Sequence, residues 1–461
     1  MDLAAALEIL PPDALEPSVS NVFVESALLP YLGFEVSEIY PQYPVSSSNN
    51  QKTDFALRKN TDTDIFLQTG RNPFLLVEVE SRTTSLAEGT APYCRSVNQL
   101  RRQLLGDRCR SAQWGIITNA NHIQLFRKHG KVIFPVTRSI ALTPQNVNEV
   151  ISGIKERIYN PNRALTVAIY NNKGGVGKTT TTINLGAVLA LKGKKVLLVD
   201  FDYNQQNLTQ RLGINPCESL IYESIKDSQV NHLPSAIIRK NYSAKVKDKG
   251  IIDVSFDVIP ADSRMLTVEQ MQEPGYRLRD KLDFALGAYD YILIDTPPGW
   301  RTTNKLVFWA ADVVLLPTQP HDCDSIRGAE IAIDKFIQEV RDMKKKGLEH
   351  ISSSLIEATP TVLPIFFNAA DTPIRQNDQQ HKYEEESVEL RRARSFIDSL
   401  VEKKPELKPF FLPGGKLPHC LPHFAHISSA DFGDRPAALC HQYTFSYYAS
   451  LAYAYFLQAE S

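Results

Sequence analysis

Residues 171–181, NNKGGVGKTTT, concentrate the groups that hold a polyphosphate. Gly174, Gly175 and Gly177 lack a Cβ, so backbone N–H groups in such a run can turn inward around phosphate oxygens. The run stands between an apolar strand pattern, ALTVAIY, and a helix pattern, TTTINLGAVLALKG. A helix start adds its unpaired N–H groups and the positive end of its dipole. Lys178 is spaced to reach the β- and γ-phosphates and the Thr179 hydroxyl to ligate Mg²⁺, with Val176 and Thr180 in the same cradle. A second lysine, Lys173, precedes the glycines; another cation near a γ-phosphate stabilises charge in a loose phosphoryl-transfer transition state. Downstream, Asp200 and Asp202 close the run VLLVDFD and Asp295 closes YILID. A carboxylate at the C-terminal end of a parallel strand is where Mg²⁺-bound water meets it.

A second constellation lies earlier. Glu25 falls on a helical pattern, NVFVESALLPYLGF; Asp54 lies in KTDFAL; Glu78 and Glu80 lie in FLLVEVESR; Gln99 is on the polar helix after them. The stretch CRSVNQLRRQLLGDRCR (94–110) has five arginines to one acid, which suits either phosphate contact or a solvated helix face.

These residues need two sets of elements to position them. At 461 residues the chain is too long for one ordinary core. Residues 1–150 are expected to form one domain, with a helical pattern through Val24–Leu32, short strands at Asp54–Leu57, Phe74–Val79 and Gly115–Thr118, and a helix at Ser96–Leu105. The helical stretch NVNEVISGIKERIY then runs into Asn160–Pro161–Asn162, a helix stop; residues 151–162 are expected as linker. From 163 to 461 strands alternate with helices, the mark of a parallel sheet with crossover helices. The later strands are expected at Val254–Ile259, Tyr291–Asp295, Val313–Pro317 and Val362–Phe367.

Composition narrows the class. A 43% hydrophobic and 22% charged chain is typical of globular domains. With 51 basic and 52 acidic residues, any DNA or lipid contact must come from a local patch. The six cysteines form no C-x-x-C pair, as expected of reduced thiols. The start of the chain is acidic and broken by Pro11–Pro12, unlike a signal peptide, and no run reaches a membrane-spanning length. A cytoplasmic protein is expected. His419, Cys420, His423, His426, Cys440 and His441 gather near the end, but their spacing fits no familiar zinc pattern.

The form K-G-G-x-G-K-[ST] at 173–179 resembles the deviant Walker A motif of the ParA/MinD/NifH family. The resemblance implies that Lys173 crosses a nucleotide-sandwich dimer to touch the partner's ATP. VLLVDFDYNQQNLT (196–209) is similar to the family's switch I, which puts Asp200 in the outer Mg²⁺ shell and gives Asp202 the attacking water; Tyr203 stands where the family has proline. YDYILIDTPPGW (289–300) resembles Walker B and switch II. FDVIPADSRMLTVEQ, ADVVLLPTQPHDCDSIRGAE and VLPIFFNAAD resemble later family motifs, with Asn368 at an adenine-contacting position. LPHFAHISSADFGDRPA resembles the last, with Ser429 in place of Glu. The implied protein is an ATPase that takes ATP and Mg²⁺, forms a homodimer on ATP, and acts in DNA partition or cargo positioning. Non-specific DNA and a ParB-like or adaptor protein are the implied partners. Candidate DNA patches are Arg239, Lys240, Lys245, Lys247 and Lys249 in the loop after the first switch, or Arg391, Arg392 and Arg394 beside the acids Glu384–Glu386 and Glu389. No membrane partner is expected, because TFSYYASLAYAYFLQAES has no Lys or Arg.

The first domain resembles the PD-(D/E)xK nuclease fold, particularly the N-terminal domain of type I restriction subunits. The expected fold class is therefore α/β throughout: a parallel-sheet P-loop domain of the ParA/MinD type behind a smaller restriction-endonuclease-like α/β domain. By that resemblance Asp54 and Glu78 would be metal ligands, with Glu25 nearby. Glu80 occupies the lysine position, and a carboxylate cannot supply the positive charge that developing oxyanion chemistry needs. An inert binding domain is the expectation; an ATPase-gated nuclease or defence protein is the alternative.

Overall fold

The computed structural model describes residues 1–48, 50–246, 250–270, 277–347, 358–370, 387–423 and 434–458. Lys247, Lys249, Glu384–Glu386, His426 and Ser429, singled out above, lie outside these described residues. The chain divides into two compact units, Met1–Pro161 with Lys344–Thr359, and Asn162–Met343 with Pro360–Ser461.

The first unit is built on seven strands: β1 (Ile39–Pro44), β2 (Lys52–Leu57), β3 (Leu75–Val79), β4 (Trp114–Thr118), β5 (His122–His129), β6 (Val132–Pro135) and β7 (Ile140–Ala141). They lie in the order β1-β2-β3-β4-β5-β6, with β7 on β5. Every pairing is antiparallel except β3 with β4. A parallel pair needs a crossover, and the helix Ala91–Leu104 falls between these two strands. Strand alternation splits the core by face. Phe55, Leu57, Leu75, Val77 and Val79 enter one cluster, while Ala56 and Leu76 join Leu100 and Leu104 in the other. Asp54 and Glu78 therefore belong to the face that the Ala91–Leu104 helix covers.

The expected linker at 151–162 is corrected. Helix Val147–Tyr159 places Val147, Val150, Ile151, Ile154 and Ile158 in the first unit's core. That spacing of three and four is an amphipathic stripe, and burying it fastens the helix to the unit. The helical pattern expected over Val24–Leu32 is a π-helical stretch, Val19–Leu28, continuing as Leu29–Leu32.

The second unit holds β8 (Leu165–Ile169), β9 (Val196–Asp200), β10 (Ile238–Val246), β11 (Gly250–Ile259), β12 (Tyr291–Asp295), β13 (Val313–Leu315), β14 (Pro317–Thr318), β15 (Thr361–Val362), β16 (Phe366–Ala370) and β17 (His419–Pro422). Seven form one sheet in the order β10-β11-β9-β12-β8-β13-β15, and β14-β16-β17 form a smaller one. Only β10 with β11 is antiparallel. Every residue of β8, β9, β12 and β13 is buried, so these strands read as unbroken apolar runs rather than alternating ones. The unit is thus α/β with a mainly parallel sheet. Arg239, Lys240 and Lys245 correct another expectation: they lie on β10, in a hairpin at the sheet's edge, not in a loop. Among the described residues no helix is long and apolar enough to cross a membrane.

Candidate active site

The register of the parallel sheet assembles the site in the second unit. Asp295 pairs with Ile169 on one side and Asp200 on the other, so two carboxylates stand together at the strand ends. The glycine-rich run leaves the sheet just after Ile169. Gly175 and Gly177 take φ of 80° and 90°, left-handed values that suit a residue without a Cβ. Helix Lys178–Leu191 begins immediately after Gly177, so its free N–H groups face the space above the strand ends. Asn171 fixes the entry to this loop. Its buried side chain accepts from Lys173 N (2.9 Å) and donates to Pro317 O (2.8 Å) and Ser325 O (3.0 Å).

Inside the loop the Thr179 hydroxyl donates to Asp295 Oδ2 at 2.6 Å. Asp295 is fully buried, and its Oδ1 has no hydrogen-bond partner. A buried unpartnered carboxylate oxygen is costly unless a further donor or cation completes it. Asp200 is satisfied differently, accepting from Thr209 N (2.9 Å), Thr209 Oγ1 (2.7 Å) and Asp202 N (3.1 Å). Asp202 accepts from Gln205 N at 3.2 Å. Burial raises the pKa of all three carboxyls, and mutual repulsion adds to the rise in Asp200 and Asp295. Burial lowers that of Lys178, against the pull of Asp295 and Asp202; its Nζ donates to Lys173 O at 3.2 Å. Three carboxyls around one buried lysine leave an excess of hard oxygen donors, which suits a divalent cation. Mg²⁺ fits this set; Thr179 and Asp295 would be its nearest holders, with Asp200 behind them.

Asn368 reaches the loop from β16, donating from Nδ2 to Val176 O at 3.0 Å. Thr180 accepts from Arg211 (2.8 Å), and its carbonyl accepts from Asn184 (2.8 Å). Lys173 stands apart from the others: its ammonium is half-exposed and lies 3.8 Å from Asp324, an ion pair of little energetic weight. Tyr203, in the proline position, is buried in the unit's core. Sequence reasoning missed Tyr170. Its hydroxyl donates to Gly299 O (2.8 Å) and lies 3.3 Å from Asn172 Oδ1, and Gly299 N donates to Asn172 O (3.2 Å). The loop after β12 is thereby tied to the phosphate loop. A tyrosine that closes an apolar run, just past the end of β8, gives no sign of such a role.

The first unit gathers its own acids. The register pairing Phe55 with Val77 sets Asp54 opposite Glu78. Asp54 accepts from Val79 N (2.7 Å) and Gln42 Nε2 (3.1 Å). Glu78 accepts from Gln103 (2.8 Å), Thr53 (3.4 Å) and Gln99. Glu80 accepts from Ser96 at 2.6 Å. Burial and then the Asp54 charge push the Glu78 carboxyl up to about 8; burial also raises Asp54. Glu25, expected nearby, is exposed. The acid from that end of the chain is Glu16, raised by burial, Asp54 and Glu80. Gln103 was legible, since it follows Gln99 by one helical turn; Glu16 carried no local signal.

Among the described residues, no group of three or more His, Cys, Asp or Glu side chains is arranged to hold a metal ion. Neither acid set is a closed carboxylate cage. A cation at the phosphate loop would complete its shell with the Thr179 hydroxyl, water and phosphate oxygens, as Mg²⁺ commonly does.

Comparison with known proteins bears on the second unit. Residues 164–350 match a family model described as an AAA domain. The chromosome partitioning protein ParA of Caulobacter vibrioides is 40% identical over 166 residues, 35% of this chain and 57% of that protein. The sporulation initiation inhibitor protein Soj of Bacillus subtilis is 39% identical over 158 residues, 33% of this chain and 57% of that protein. The septum site-determining protein MinD of Helicobacter pylori is 31% identical over 191 residues, 40% of this chain and 63% of that protein. The chain thus spans less than two thirds of the length of each of these relatives. The likeness is to P-loop domains of the ParA/MinD type.

Proposed function

We propose that the second unit is a ParA/MinD-type ATPase that binds ATP with Mg²⁺, closes a homodimer on it and hydrolyses it to ADP and phosphate. The observation that carries this reading is the Thr179–Asp295 contact beside the unpartnered Asp295 Oδ1, at the mouth of a glycine-rich loop. The loop's N–H groups and Lys178 bind the phosphates. Asp202 orients the attacking water and Lys173 supplies positive charge to the partner's nucleotide. Mg²⁺, held by Thr179 and Asp295, would supply neutralisation of the phosphate charge. Asn368 lines the adenine side of the cradle.

The names of the partitioning and septum-site relatives support a role in DNA partition or the positioning of another cargo. In this reading a ParB-like or adaptor protein stimulates hydrolysis. Non-specific DNA contact would rest on local basic residues. On β10, Arg239 is already held by Asp257 (2.8 and 3.0 Å), which leaves Lys240 and Lys245 as the stronger candidates there; Arg391 and Arg392 are exposed on the helix Val388–Lys403. The protein is taken to act in the cytoplasm.

For the first unit, the facing Asp54 and Glu78 and the crossover helix between β3 and β4 support a restriction-endonuclease-like domain that has lost cleavage. The tight acid set around Asp54 also favours the alternative, an ATPase-gated nuclease.

The deciding experiment measures ATP binding and turnover by wild type and Lys178→Ala. Wild-type affinity in the variant, or no ATP binding by either protein, defeats the ATPase reading.

A further inference from the structure

Helix Asn207–Arg211 has only five residues, too few to hold its place by its own hydrogen bonds. Its position is set by what its side chains grip. Leu208 and Leu212, four apart and fully buried, press it onto the unit's interior. Thr209 and Arg211 flank that apolar stripe on opposite sides, since residues two apart on a helix do not share a face. On one side Thr209, itself fully buried, donates from N and Oγ1 to Asp200 Oδ2 (2.9 and 2.7 Å), and its Oγ1 accepts from Ala261 N (2.8 Å). On the other side Arg211 donates from Nη1 to Thr180 Oγ1 at 2.8 Å.

These contacts close a ring through the strand ends. Thr180 follows Thr179, whose hydroxyl donates to Asp295 Oδ2 at 2.6 Å. Asp295 pairs with Asp200 across adjacent strands. Asp200 is held by Thr209, and Thr209 shares its short helix with Arg211. The anchor at Thr180 is firm: its carbonyl accepts from Asn184 Nδ2 (2.8 Å), and Asn184 Oδ1 accepts from Ala438 N (2.8 Å). Arg211 supplies the one cation in this ring, and a guanidinium keeps its charge throughout the physiological pH range. Opening the ring at Arg211 leaves Lys178 and the loop N–H groups where they are, but frees the short helix to carry Asp200 out of place.

We propose that Arg211 is a positioning residue for hydrolysis, clasping the Thr209 helix to the phosphate-loop helix so that Asp200 stays in register with Thr179 and Asp295. This rests on the ATPase reading and deepens it. Arg211 acts through its helix on an acid of its own chain, and so is distinct from the charge that Lys173 brings from the partner. It contributes to the chemical step and not to ATP affinity, because the phosphates have Lys178 and the loop N–H groups.

The test is a mutant cycle on the full chain. Arg211→Met is expected to lower kcat about ten-fold, with an unchanged calorimetric Kd for ATP, which also shows that the unit is folded. Arg211→Lys keeps a cationic donor and is expected to recover most of the rate. Thr180→Val removes the acceptor, and adding Arg211→Met to it is expected to lower single-turnover hydrolysis no further. Wild-type kcat in Arg211→Met overturns the proposal and leaves the ATPase reading standing. A loss of ATP affinity as large as the loss of rate also overturns it, since the guanidinium would then serve the nucleotide directly. So does an equal further loss in the Thr180→Val background, which would place its action elsewhere. Absence of hydrolysis in wild type removes the ATPase reading, and the inference with it.

Discussion

The amide of Asn368 occupies the space that a side chain on Gly177 would need. Its Nδ2 donates to Val176 O at 3.0 Å, and a Cβ built on Gly177 would overlap that same nitrogen. Two constraints therefore meet at one glycine, the neighbour and the left-handed φ of 90°. Gly177→Ala is expected to abolish ATP binding in calorimetry. Adding Asn368→Ala removes the overlap but leaves the backbone strain, costing on the order of 1–2 kcal/mol, so the double variant should recover binding only in part. Full affinity in Gly177→Ala would show that the loop is looser than its geometry.

Asp202→Ala is expected to bind ATP normally and accumulate as a dimer in sizing with ATP, since it loses water orientation and keeps the phosphate cradle. Lys173→Ala should lose hydrolysis, by analogy with cations supplied in trans that are worth ~10³–10⁵ in rate. The weak Lys173–Asp324 pair leaves that lysine free to turn to a partner. Monomer alone for both wild type and Asp202→Ala would remove the dimer mechanism.

Glu78 gives the first unit a pH dependence. Its carboxyl is ordinarily near 4.5 and is pushed up to about 8 in the fold. A folded pKa above the unfolded one means that the stabilising contribution is complete below pH 4.5 and is lost as pH rises through 8. Glu78→Gln mimics the protonated form and should flatten that fall. The gain at pH 8.5 is expected to be on the order of a few kcal/mol. Thermal unfolding in EDTA, from pH 5 to about 9, measures it. Parallel curves for variant and wild type would place the proton elsewhere.

Plasmid and linear DNA, given Mg²⁺ or Mn²⁺ with or without ATP, are expected to survive incubation with wild type. Glu80 is held by Ser96 and brings negative charge where cleavage needs a cation. Glu80→Lys should introduce a low activity that disappears in Asp54→Ala. Wild-type cleavage that depends on Asp54 and Glu78 would instead favour the ATPase-gated nuclease.

The legible parts of the molecule were those where chemistry and element coincide. Asp200 and Asp295 each close a run of four apolar residues, and the same burial that makes the run apolar puts the acid at the strand end. The glycine–lysine loop needed no tertiary information. Strand β10 was hidden because RKNYSAK is mostly charged or polar, with Tyr242 and Ala244 its only apolar residues; it becomes a strand only by pairing with β11 from Gly250 onward. Glu16 was hidden for a different reason. It lies on a single helical turn 38 positions before Asp54, and only the fold brings their charges within reach. The helix Val147–Tyr159 shows the opposite error. Its stripe was visible, yet periodicity does not say which unit buries it.

The assignment of Lys344–Thr359 to the first unit makes that unit discontinuous along the chain. Ala358 N donates to Val136 O at 3.4 Å, and Lys344 Nζ donates to Ala358 O at 2.9 Å. During synthesis the ribosome therefore delivers the last piece of the first unit only after β8 through β13 have emerged. Chains stalled or truncated near residue 161 lack that piece. The order of translation thus puts the phosphate loop and the strand that ends in Asp295 ahead of the last residues of the unit that carries Asp54 and Glu78.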